Sequence, residues 1–292
     1  MRPIVACSNV TKSYGRHEAV RGLDLMLEER TIYGLLGRNG AGKTTLLNMI
    51  VGSLFPDSGV IEVGGIRLRA GETPAQVCYI REKNLYPGSA KVIDVLQMAS
   101  AFHPNWDWDY ARELLQAFRL NPAKKIRQLS RGMESLVGNI VGLASRAPLT
   151  IFDEPVLGLD VLMRERFYRA LVEDWADHPR TILFSTHLID EIAKVVEKVY
   201  ILEAGTMLLH DEVDRLHTQA HLFRGTKESV SAAAANKRIL YKETYGGGML
   251  AAVYDSIGER ERATAAKLGV SIEGLPLQKF FTYLIEGGES GV

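Results

Sequence analysis

Eight consecutive residues, Gly37-Arg38-Asn39-Gly40-Ala41-Gly42-Lys43-Thr44, fit the pattern G-x-x-x-x-G-K-[ST]. Its glycines let successive backbone N–H groups turn inward around a chain of phosphates, and the positive end of a following helix adds to the attraction. Lys43 is then placed to reach the β- and γ-phosphates and the Thr44 hydroxyl to ligate Mg²⁺. Asn39, Gly40, Ala41 and Thr45 complete the expected nucleotide-contacting set. An apolar run before the pattern and a helical run after it supply the context that this chemistry needs.

A second element is Thr150-Ile151-Phe152-Asp153-Glu154, an apolar strand ending in two carboxylates. Neighbouring side chains of a strand point apart, so the two acids have different jobs. Asp153 is expected to orient the Mg²⁺ shell, and Glu154 to face a water in line with the γ-phosphate as general base. By itself, an Asp-Glu pair after a strand is common and inert; beside a phosphate loop it acquires meaning.

Leu129-Ser130-Arg131-Gly132-Met133 stands before a helical run, with Ser130 placed to cap it. A Ser-x-Gly at a helix start is also an ordinary N-cap. The stretch resembles the LSGGQ signature of the ABC ATPase family: Ser130 and Gly132 match, while Arg131 and Met133 depart. Gly158-Leu159-Asp160 resembles that family's D-loop and Ser185-Thr186-His187 its H-loop. Tyr14 stands where the family keeps an aromatic ring against adenine. The family's Q-loop glutamine falls on Glu82, after Tyr79-Ile80-Arg81.

The resemblance covers residues 1 to about 215 and implies an ATP hydrolase using ATP and Mg²⁺. It implies catalytic roles for Glu154 and His187, and a metal site of Thr44, Asp153 and Glu82. It also implies that Ser130, Arg131 and Gly132 of one subunit close on the ATP held by the other, so that a pair of subunits is needed. Phe102-His103-Pro104-Asn105-Trp106-Asp107 and the stretch from Pro122 to Met133 resemble, more narrowly, bacterial ABC-2-type exporter ATPases linked to antimicrobial-peptide resistance and cell-envelope stress. The implied partners are a second nucleotide-binding subunit, identical or not, and a separate polytopic membrane permease. An importer ATPase is the nearest rival. A soluble ABC ATPase acting on ribosomes or DNA is less well matched, because a second ATPase domain and long coiled-coil insertions are both lacking.

The elements that must position these residues follow from patterning. Ile4 to Asn9 and Leu23 to Leu27 alternate as half-exposed strands do. Thr31 to Leu36 is a continuous apolar run, which fits a fully buried parallel strand. Thr44 to Val51 reads as a helix, and Val60 to Val63 and Ile66 to Leu68 flank Gly64-Gly65 as a hairpin. Further strands are expected at Val77 to Ile80, Leu149 to Phe152 and Thr181 to Phe184, with a hairpin over Val199 to Leu209 turning at Ala204-Gly205. Residues 90–147 read as a helical insert. Patterning gives an α/β fold with a mostly parallel sheet; the resemblance implies a P-loop NTPase of ABC type with a mostly parallel core sheet, an antiparallel β subdomain and that insert. Residues 1–215 form this domain, and 216–292 a small α+β appendage with an Ala-rich helix over Ser231 to Lys237.

Bulk properties narrow the function classes. Lys+Arg and Asp+Glu number 35 each, for a net charge of +0 and a pI near 7.1, so the basic surplus that non-specific nucleic-acid binding uses is lacking and no nucleic acid is expected. Cys7 and Cys78 are isolated in apolar surroundings and read as buried thiols of a reducing compartment. Met1 to Tyr14 has no long apolar core, and no run approaches the roughly 18 apolar residues that span a bilayer. The expected location is cytoplasmic, peripheral on the inner membrane face through the permease.

Overall fold

The computed structural model describes residues 3–83 and 85–290, so the outermost residues of the two expected domains lie outside it. Strands β1 (Pro3–Tyr14) and β2 (His17–Glu28) form a long hairpin. β3 (Ile32–Gly37) leads through the phosphate-loop pattern into α1 (Lys43–Ile50). β4 (Ser58–Val63), β5 (Ile66–Arg67) and β6 (Val77–Ile80) follow. Then come three helices, α2 (Val92–Ser100), α3 (Trp108–Ala117) and α4 (Arg131–Ala144). β7 (Leu149–Asp153), α5 (Val161–Asp177), β8 (Thr181–Thr186), the short α6 (Ile189–Ile192), β9 (Lys198–Glu203) and β10 (Thr206–Glu212) succeed them.

Two sheets are built from these strands. One is antiparallel, in the order β2-β1-β4-β5; the other runs β10-β9-β3-β8-β7-β6, with β9, β3, β8, β7 and β6 mutually parallel. All six residues of β3 are buried, as are those of β8, which explains why both read as unbroken apolar runs rather than alternating ones. Val5, Leu23, Leu27, Leu35, Leu46, Leu47 and Ile151 lie in one apolar core shared by the two sheets and α1. Cys7 and Cys78 are free and buried; burial pushes their thiols up to about 12 and about 11, which keeps them unreactive. Among the described residues, no helix is long and apolar enough to cross a membrane.

The remaining chain forms α7 (Val213–Gln219), β11 (Ala220–Thr226), α8 (Lys227–Ala233), β12 (Ile239–Tyr245), β13 (Gly248–Tyr254), α9 (Glu259–Lys267), β14 (Ser271–Gly274) and α10 (Leu277–Ser290). Its antiparallel sheet has the order β12-β13-β11-β14. A β-α-β-β-α-β succession with that order is the split βαβ, or ferredoxin-like, arrangement. Phe223, Val230, Ala251, Val253 and Ala265 fill one side of it, while Phe280 and Tyr283 of α10 meet Tyr254 and Tyr241.

Two expectations need adjustment. Compactness divides the chain into Met1–His187 with Lys198–Leu209, and Leu188–Glu197 with His210–Val292, so the segment after His187 falls with the second unit and not the first. The Ala-rich helix starts four residues earlier than expected, because the Thr226 hydroxyl accepts from the Ser229 N–H and caps it, and it runs only to Ala233.

One buried charge network fastens the helical insert. Arg146, after α4, donates to Asp107, the N-cap of α3, and pairs at 2.7 Å with Asp174 of α5. Arg180 reaches the same Asp174 at 2.7 Å and donates to the Leu143 carbonyl. The Asp174 side chain is 1% exposed, so removing its charge leaves two guanidinium groups without their shared partner. Asp174→Asn should lower stability by about 3–5 kcal/mol, read from the denaturant midpoint. A loss under about 1 kcal/mol would mean that the network behaves as a solvated surface one.

Candidate active site

The phosphate-loop pattern leaves the carboxyl end of β3 and turns directly into α1. Gly42, the residue before that helix, has φ +103°, and a Cβ there would overlap the Ala19 carbonyl oxygen. Backbone curvature and close approach of β2 thus both exclude a side chain. Lys43 is 8% exposed and donates from Nζ to the carbonyls of Gly37 (2.7 Å) and Arg38 (3.2 Å). Burial pushes its ammonium below the ordinary lysine range, opposed by the charges of Glu154, Asp153 and Glu203.

Asp153 ends β7, 5% exposed, and its Oδ2 accepts from the Thr44 hydroxyl at 3.4 Å and the Tyr79 hydroxyl at 3.3 Å. Burial raises its pKa; the hydrogen bonds from Tyr79 and Thr44 oppose the rise, and the Glu154 charge adds to it. Glu154 lies one residue past the strand with φ +50°. The divergence of the two acids therefore comes from a left-handed turn after the strand, and not from strand alternation as the sequence suggested. A non-glycine residue there stores about 1–3 kcal/mol of strain. The surrounding bonds hold it: the Glu154 N–H donates to the Ser185 carbonyl at 2.8 Å. Its Oε1 accepts from the His187 N–H at 3.1 Å and lies 2.8 Å from His187 Nδ1, while Oε2 accepts from the Thr186 hydroxyl at 3.0 Å.

These groups surround one cavity of about 490 Å³. Asn39, Gly40, Ala41, Gly42, Lys43, Thr44 and Thr45 line it from the loop side; Asp153, Glu154, His187 and Glu82 line it from the strand ends, and Tyr14, 52% exposed, stands at its rim. The expected loop residues are thus together, and Gly37 sits beneath them as acceptor for Lys43. Ser130, Gly132 and Asp160 do not line this cavity. Ser130 caps α4 by accepting from the Met133 N–H, and Asp160 caps α5 by accepting from the Met163 N–H. Arg131 lines a neighbouring cavity of about 370 Å³.

A phosphate cradle, a buried lysine and a carboxylate with a donor on each oxygen suit hydrolysis of a nucleoside triphosphate. Relatives bear on this directly. The family described as "ABC transporter" matches residues 20–157. The putative ABC transporter ATP-binding protein AlbC of Bacillus subtilis is 35% identical over 190 aligned positions, 62% of this chain and 79% of that protein. The chain belongs to the ABC transporter ATP-binding proteins. The bacitracin transport ATP-binding protein BcrA of Bacillus licheniformis is 27% identical over the whole of both chains. A solved ATP-binding subunit of an ABC transporter superposes with a TM-score of 0.67 at 26% identity, covering 73% of this chain and 92% of that one.

This ABC ATPase binds nucleotide and hydrolyses ATP. Three of its site contacts escaped the sequence reading: the hydroxyls of Tyr79 on Asp153 and of Thr186 on Glu154, and the Glu82–Arg131 ion pair. Tyr79 carried a usable signal, an aromatic hydroxyl near the end of the strand beside β7. Alanine at Gly42 would meet both the +103° backbone and the Ala19 carbonyl. Gly42→Ala should weaken nucleotide binding about ten-fold or more, a cost of about 1.4 kcal/mol, in titrations with a fluorescent ATP analogue. An unchanged Kd would show that the loop relaxes around the methyl group.

Proposed function

We propose that the chain is the motor subunit of a membrane exporter. Two such subunits share each nucleotide and drive a separate polytopic permease from the inner face of the membrane. The observation that carries the chemistry is the Glu154 carboxylate, held by Thr186 and His187 on the wall of the cavity that contains Lys43 and Asp153. Donors on both oxygens hold the carboxylate in one orientation, as a general base toward water needs. His187 fixes that orientation through its backbone N–H and its ring. Lys43 exchanges loop carbonyls for phosphate oxygens, and Tyr14 offers its ring at the rim for the base.

Thr44 and Asp153 present two hard oxygens that meet at 3.4 Å. Among the described residues, no cluster of three or more His, Cys, Asp or Glu could hold a metal ion. A donor set this small fits Mg²⁺, which is held by one or two carboxylates together with substrate phosphates. Thr44 and Asp153, with Glu82 at the edge of the cavity, would hold it, and its charge would offset the charge on the phosphates. Ser130, Gly132 and Asp160 lie outside their own chain's cavity, which agrees with service to the nucleotide of a second subunit.

The exporter reading is supported by the likeness to BcrA, which includes the second unit. A daunorubicin resistance ATP-binding protein of Streptomyces coeruleorubidus is 28% identical across 74% of this chain. The bicarbonate transport protein CmpD, 29% identical, is matched by 70% of this chain.

Glu154→Gln should keep ATP binding and lower turnover by roughly 10²–10⁴-fold, and it should trap an ATP-bound pair visible by size-exclusion chromatography. Near-normal turnover would remove Glu154 from the role of base. Mixing Lys43→Ala and Ser130→Arg subunits should restore activity that neither has alone. Such a mixture forms one composite site with both defects and one with neither. Single variants as active as the wild type would place neither residue at the site.

A further inference from the structure

Two positions depart from the ABC pattern in charge: Glu82 stands for glutamine and Arg131 for glycine. They are far apart in sequence and opposite in sign, and they meet. Arg131 Nη2 donates to Glu82 Oε1 at 2.9 Å. Glu82 also lines both cavities, the nucleotide-sized one beside Asp153 and Glu154, and the adjoining one beside Arg131 and Glu134. Its carboxylate thus stands in the wall between the cradle and the start of α4. That start is itself fixed. A Cβ on Gly132 would lie 2.5 Å from the Gly158 carbonyl oxygen, and Ser135 Oγ donates to the Leu157 carbonyl. Arg131 therefore reaches Glu82 from a backbone anchored to the loop that leads to Asp160. A glutamine and a glycine could not make this pair.

We infer that Arg131 is a positioning residue for Glu82: it holds the carboxylate against the wall of the nucleotide cavity and ties the loop around a chain's own nucleotide to the start of α4, which carries Ser130 and Gly132. The inference rests on the proposed function for the presence of phosphates in the cavity. A freed Glu82 carboxylate would swing toward or away from those phosphates, and its repulsion of them would depend on whether Arg131 is present. Exposed pairs of this kind couple weakly, so the consequence is a modest, measurable non-additivity.

The test is a double-mutant cycle on nucleotide affinity, with a fluorescent ATP analogue in EDTA and in excess Mg²⁺. The proteins are wild type, Glu82→Gln, Arg131→Gln and the double variant, each checked by thermal melting. In EDTA, the double variant should differ from the product of the single effects by about two- to five-fold. The coupling should vanish at about 1 M salt, where the screening length is about 3 Å. Arg131→Lys, which keeps the cation, should restore most of it. Single effects that simply multiply, with wild-type nucleotide binding intact, would overturn the inference and leave the functional reading standing. A wild-type protein that binds no nucleotide would overturn both.

Discussion

The parallel pairing of β3, β7 and β8 sets Leu36 beside Thr186 and Asp153 beside Ser185. Because these strands run the same way and end at the same level, three chain reversals leave the sheet on one edge. One is the loop from Gly37 to Thr44, one is Glu154 after Asp153, and one is His187 after Thr186. Ligands of open α/β sheets bind beyond the carboxyl ends of the strands for this reason. A change of one residue in register would move Thr186 away from Glu154 and leave the left-handed Glu154 without its support.

Charge follows from the same placement. Lys43 and Asp153 are both buried, and burial works against the charged form of each. Burial is opposed at each: at Lys43 by the charges of Glu154 and Asp153, and at Asp153 by the hydroxyls of Tyr79 and Thr44. Lys43 also spends its ammonium hydrogens on loop carbonyls, which are neutral acceptors and weaker partners than an anion. The cavity is thus lined by groups whose best partners are a phosphate chain and a hard cation.

The second unit shows how architecture can exceed what motif reading yields. It contains no chemical motif, yet its strand order and hand of pairing define a split βαβ layer with α10 meeting the aromatic residues of β12 and β13. Its helix α8 was misplaced from sequence because the alanine run, a propensity signal, lay downstream of the Thr226 cap that starts the helix. A hydrogen bond at one hydroxyl outweighed several residues of favourable propensity there.

The phosphate loop was fully legible, since its eight residues are contiguous and its chemistry is a property of local backbone and one lysine. Asp153 and Glu154 were legible as a pair, and so were the buried strands β3 and β8, whose apolar runs reflect burial on both faces. What the chain order alone could not decide was every contact between distant segments. Tyr79 on Asp153, Thr186 on Glu154 and Arg131 on Glu82 join residues separated by 74, 32 and 49 positions. The left-handed turn at Glu154 belongs with them, because glutamate has no preference for that conformation and adopts it only when bonds from another strand hold it. Sequence determined which chemistry the chain carries; tertiary structure decided which groups orient it, because orientation comes from partners that only folding brings within hydrogen-bond reach.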